Sequence, residues 1–245
     1  LLASALTGCV HMGMDRKYSG PVSLPEEIKE EYALNVRTRE IKDCFLEDNR
    51  KYSIRKIDFN YEFEGKLNEI GLLYYQSKKE GKKPLIAIYT PNGGSLLPAK
   101  MFASNFALRG FNSYIVKRRR DPNKKELDSL DKLYLVNDAL KKNIRDGIIT
   151  LNYLLERDKD IDAGKIGCLG MSRGGMDVIS LAAVDKRFRA CVIALAGGDI
   201  PECLANVPER GIVRLRKDFK EKTGLSNGEY RRALKKVVDS GPNDL

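Results

Sequence analysis

From Ile57 to Phe63 the chain alternates apolar and polar positions (Ile57, Phe59, Tyr61, Phe63), the two-residue period of a strand with one buried face. Ile70, Leu72 and Tyr74 repeat that period after a turn around Gly65, so the two segments predict an antiparallel hairpin. The pattern then changes. Pro84-Leu85-Ile86-Ala87-Ile88-Tyr89 is continuously apolar, too short for a helix and bounded by Pro and Gly. Such a run suits a central parallel strand covered on both faces. It empties into the turn-rich loop Thr90-Pro91-Asn92-Gly93-Gly94-Ser95. A helix carrying Met101, Phe102, Phe106 and Leu108 follows, closed by Gly110 as its C-cap. Phe111 to Val116 reads as the next strand. Leu140, Ile144, Ile148, Leu151, Leu154 and Leu155 form one apolar stripe on a long helix, which Asp160-Ile161-Asp162-Ala163-Gly164 ends. A strand over Lys165 to Leu169, a helix from Gly174 to Ala183 and a strand from Ala190 to Ala196 complete the series.

Strand and helix thus alternate after an N-terminal hairpin. This predicts an α/β fold, a mostly parallel central sheet with helices on both faces. Pro25 to about Asn49 is charged and reads as a helical or irregular lead-in (25–51), with the domain running over 52–245. Residues 199–240 turn helical and basic with no further strand. Ile212, Val213, Leu215, Phe219, Leu225 and Leu234 lie among their charges, as in a cap-like insertion or an amphipathic surface element.

At 245 residues the chain is long enough for one large domain with a real core. Its formal charge of +10 invites a nucleic-acid partner. The basic residues, however, are spread from Lys17 to Lys236 with acids between them, and the tightest block, Lys117-Arg118-Arg119-Arg120, meets Asp121 at once. No recognition helix, zinc-finger spacing or ribonucleoprotein motif accompanies them, so the charge reads as solvated surface and no nucleic-acid partner is expected. No CxxC pair or Cys/His pattern occurs, and neither a metal nor a cofactor is expected. Cys168 and Cys191 fall inside predicted strands and read as small core residues; disulfides stay open. No stretch of about twenty apolar residues could span a membrane.

The first residues, Leu1-Leu2-Ala3-Ser4-Ala5-Leu6-Thr7-Gly8-Cys9, are apolar and then small. Leu6-Thr7-Gly8-Cys9 resembles the lipobox of bacterial lipoproteins. That resemblance implies a lipid anchor on Cys9, a signal remnant and tether over 1–24, and a place in the bacterial cell envelope with the membrane as partner. The alternative is an ordinary apolar N-terminus, or a start at Met12 or Met14, on a soluble periplasmic or cytoplasmic protein.

The chemistry concentrates at Gly170-Met171-Ser172-Arg173-Gly174-Gly175. A GxSxG pattern acquires meaning when it joins a buried strand to a helix, because the strained corner pushes the serine Oγ out at the top of the sheet. Lys165 to Leu169 is that strand, and Asp177-Val178-Ile179-Ser180-Leu181 continues that helix. Ser172 is therefore the candidate nucleophile. The backbone N–H of Arg173, at a helix N-terminus, would stabilise a developing oxyanion. A second donor should come from the loop after the earlier central strand, at Asn92 or Gly93, since Pro91 has no N–H.

With these residues in place, the chain resembles the α/β-hydrolase superfamily over roughly Tyr52 to Gly198. Within it the likeness is to dienelactone-hydrolase-like and prolyl-oligopeptidase-like serine hydrolases. The resemblance implies hydrolysis of carboxylic esters, or less often amides or peptides, through an acyl-enzyme on the serine. It also implies a triad in the chain order Ser, acid, His. The one histidine, His11, precedes Ser172 and falls in the leader or tether. Serine without a base is a poor nucleophile. Three explanations stand: a chain truncated before the last strands, which would bear the acid and the histidine; a non-catalytic, lipid-anchored binding protein on the same fold; or a different base, such as a lysine. Asp199, after the last predicted strand, is a candidate acid or a turn aspartate. Truncation would also leave an unpaired sheet edge.

Overall fold

The structure, a computed structural model, describes residues 36–91, 95–116, 134–196, 200–208 and 210–239. Its elements are β1 (Thr38–Asp48), β2 (Tyr52–Phe63), β3 (Lys66–Ser77), β4 (Lys83–Tyr89), α1 (Leu97–Arg109), β5 (Asn112–Val116) and α2 (Tyr134–Arg157). After them come β6 (Ile161–Met171), α3 (Arg173–Val184), β7 (Phe188–Ala194), α4 (Ile200–Asn206), α5 (Arg210–Thr223) and α6 (Asn227–Asp239). Seven strands make one sheet in the order β1-β2-β3-β5-β4-β6-β7.

The sheet is mixed rather than mostly parallel. β1/β2, β2/β3 and β3/β5 pair antiparallel, whereas β4/β5, β4/β6 and β6/β7 pair parallel. The antiparallel half grows from the hairpin expected around Gly65. There Glu64 (φ 51°) and Gly65 (φ 69°) both take the left-handed conformation, so the two-residue turn carries the twist that adjacent strands need.

Where a charged helical or irregular lead-in was expected, Thr38–Asp48 is instead edge strand β1. It lies mostly exposed on both faces, so no buried apolar period marks it in the sequence. Backbone pairing and charge hold it. Arg55 Nε donates to Asp43 at 2.9 Å, Arg157 pairs with both Asp43 and Glu40, and the Tyr153 hydroxyl donates to Glu40 at 2.6 Å.

Two apolar layers flank the sheet. Under α2 and α3 lie Ile57, Phe59, Leu72, Leu85, Ala87, Tyr114, Ile166 and Cys168, packed on Ile148, Leu151, Leu154, Val178 and Leu181. On the other face Leu73, Tyr75, Ile88, Ile115 and Leu169 meet α1. Of the apolar residues that suggested α1, only Phe106 packs against this layer; Met101, Phe102 and Leu108 are exposed, and Ala99, Ala103 and Ala107 are buried in their place. Alanines spaced one turn apart let the helix axis come close to the sheet, and the bulky residues are left outside. Gly110 caps α1 as expected, at φ 98° with its N–H on Ala107 O.

The long helix ends at Arg157, earlier than its sequence pattern suggested, and Ile161 already opens β6. Between them Asp158 accepts from the Tyr74 hydroxyl (2.6 Å), Gln76 (3.0 Å) and Asn112 (3.3 Å). This polar knot closes the sheet at the end opposite Ser172. α4, α5 and α6 gather around a separate small cluster of Ala205, Phe219, Tyr230, Leu234 and Val237.

Two expected outcomes follow from the core. A Cβ added at Gly147 in α2 would stand 2.4 Å from the Tyr89 hydroxyl. Gly147→Ala should therefore cost about 1–3 kcal/mol through overpacking, read as a lower urea midpoint at unchanged m-value. Burial also raises the pKa of Tyr74, Tyr89 and Tyr114 well above the ordinary 10.0, and pushes those of Tyr75 and Tyr230 up to about 12. The unfolded chain thus loses phenolic protons first. Stability should hold below the ordinary value and fall as pH rises through about 10, with tyrosinate absorbance appearing together with unfolding.

Candidate active site

Ser172 stands between β6 and α3, exposed, with buried glycines following it. Its φ of 52° and ψ of −121° lie outside the ordinary regions for a residue with a side chain. The surroundings hold it there. Its N–H donates to Ala194 O at the end of β7 (2.8 Å), and its carbonyl accepts from Gly175 N (2.9 Å) and Met176 N (3.3 Å). The corner thus ties β6, β7 and the first turn of α3 together.

Glycine is required here because backbone meets backbone. A Cβ on Gly170 would lie 2.2 Å from Gly174 O, and one on Gly174 would lie 2.3 Å from Tyr89 O and 2.7 Å from Thr90 O. A Cβ on Gly175 would instead meet a side chain, Ala196 Cβ, at 2.5 Å. α3 is therefore pressed onto the ends of β4, β6 and β7. The loop that leaves β4 at Thr90 starts directly beside the N-terminus of α3.

Arg173 is the first residue of α3, where the first backbone N–H groups point out of the helix rather than into its ladder. Its side chain folds back, Nε reaching Oδ1 of buried Asp177 one turn on at 3.5 Å. Asp177 was not singled out from the sequence as part of this corner, although its spacing from Arg173 is that of a helical ion pair. The carbonyls of Tyr89, Thr90 and Ala194 are likewise invisible to motif reading, because they act through backbone alone. Asn92, Gly93, Asp199, Cys9 and His11 lie outside the described residues. Among the described residues there is no histidine, and no group of three His, Cys, Asp or Glu side chains could hold a metal ion.

No protein-family model matches the chain, and no curated protein does. Solved structures do. An acetyl xylan esterase from Paenibacillus sp. R4 superposes with a TM-score of 0.56 at 16% identity, over 87% of this chain and 71% of that one. Acetyl xylan esterase 1 from Thermoanaerobacterium sp. JW/SL YS485 gives 0.55 at 17%, over 89% and 75%. Methylesterase BT1017 gives 0.50 at 20%, over 68% of this chain and 39% of that one. The fold is that of the α/β-hydrolases. At these identities the likeness concerns the fold, and the chain spans only 39% of the methylesterase's length.

In an α/β-hydrolase fold the strained corner has a testable signature. Ser172→Gly should raise stability by about 1 kcal/mol, because glycine takes that φ without strain. Gly174→Ala should lower it by about 3 kcal/mol, since the contact is with backbone that cannot move aside. Equilibrium denaturation of both variants decides the matter, and equal effects of the same sign would contradict the strain argument.

Proposed function

We propose that this chain carries the nucleophile of a serine hydrolase that cleaves carboxylic esters through an acyl-enzyme on Ser172. The observation that carries the reading is the backbone of Ser172: a residue with a side chain, held at φ 52° on a strand-to-helix corner and exposed. Strain of that kind persists where the surroundings enforce it, and it presents Oγ to a substrate. The N–H of Arg173 at the helix N-terminus serves as one oxyanion donor. The N–H of Asn92 or Gly93 serves as the other, a role supported by the contact of Gly174 with the start of that loop. The solved structures sharing the fold are named as esterases, which favours esters over amides and peptides.

Ser172 still needs a base. In this proposal the base and its acid are supplied from outside the described residues, which include no histidine. Asp199 is the alternative acid. The lipid anchor on Cys9 and an envelope location belong to the same proposal. They are tested by incorporation of labelled palmitate that Cys9→Ala removes.

The deciding experiment uses the full-length protein. A fluorophosphonate probe should label it at Ser172. Ser172→Ala should abolish labelling and lower kcat/KM for an aryl acetate by at least about 10³-fold. A folded, full-length protein that takes no label would favour the rival reading, an anchored binding protein on the same fold.

A further inference from the structure

Cys168 and Cys191 are in-register partners on the parallel strands β6 and β7, and their sulfurs stand 3.2 Å apart. The sequence suggested two buried core cysteines. The structure separates them: Cys168 is buried, whereas Cys191 is exposed on β7, which is an edge strand among the described residues. Adjacent strands run about 4.8 Å apart, within the span of Cα positions that a disulfide bridges. We propose that Cys168 and Cys191 form a modification site, a dithiol that closes to a cross-strand disulfide by exchange with a low-molecular-weight disulfide.

The asymmetry of the pair sets the order of steps. The Cys191 thiolate, reachable from solvent, attacks one sulfur of the external disulfide, forming a mixed disulfide and releasing one thiolate. Cys168 then loses its proton to solvent and attacks the Cys191 sulfur. The new Cys168–Cys191 bond forms as the Cys191–external bond breaks, and a second external thiolate leaves. Two protein thiols are oxidised, one external disulfide is reduced, and the two protons released are taken up by the two leaving thiolates. Burial, reinforced by the neighbouring Cys191 sulfur, raises the Cys168 thiol well above its ordinary value, so the second step is the slow one. The bridge would tie the edge strand down three residues before Ala194, whose carbonyl holds the Ser172 N–H.

Oxidised glutathione and peptide mass mapping test this on the full chain. The expected product has lost two hydrogen atoms and yields a Cys168–Cys191 linked peptide, with Cys44 and Cys203 still alkylatable. Cys168→Ser should stop at glutathione on residue 191, and Cys191→Ser should leave Cys168 unmodified. A wild-type chain that ends as the stable mixed disulfide, or a link made through Cys44 or Cys203, would overturn the proposal. So would a Cys191→Ser chain whose Cys168 reacts at the wild-type rate.

Discussion

Backbone against backbone at Gly174 is the contact on which the arrangement depends. With the Tyr89 carbonyl only 2.3 Å from where a Cβ would be, α3 can begin nowhere else without separating from β4. That closeness fixes the end of β6, forces the left-handed turn at Ser172, and sets the Ala194 carbonyl where it accepts the Ser172 N–H. Tyr89 then extends the constraint downward. Its ring lies in the core under α2, and its hydroxyl occupies the space that Gly147 leaves empty. One residue of β4 thereby takes part in both the corner and the packing of the long helix.

Much of this was legible in the sequence, and the exceptions share a cause. The hairpin, the central strand at Pro84–Tyr89, the glycine cap at Gly110 and the serine corner each show a local rule: a period, a run, a breaker, a motif. β1 shows none, since it is exposed on both faces and held by Asp43 and Glu40 to arginines that lie close in space but not in sequence. α1 misled for a related reason. Size suggested that Met101 and Phe102 face inward, but a helix lying close to a sheet uses its smallest side chains there, so the alanines were the signal. Cys191 was read as core because an apolar strand looks the same at the edge of a sheet as in its middle.

The site divides along the same line. Ser172 and Arg173 could be named because a short motif and its position between strand and helix mark them. The carbonyls that hold the motif in place could not, since any residue supplies a carbonyl and only the fold decides which one points where. Asp177 lies between these cases: its helical spacing from Arg173 was readable, but its burial was not.

The two ends of the sheet are unlike. β1 is broken by two irregularities in register, between Glu40 and Lys42 and between Phe45 and Glu47, and it carries six charged residues of both signs. β7 pairs regularly from Gly167 to Met171 of β6, and its far side lacks a strand partner among the described residues. Irregular, charged edges resist further pairing, whereas regular apolar ones accept it. Growth of this sheet by hydrogen bonding is therefore one-sided. Should two copies meet through β7, each would use up the one receptive edge among its described residues, and the association would close at a pair instead of running on into a fibre.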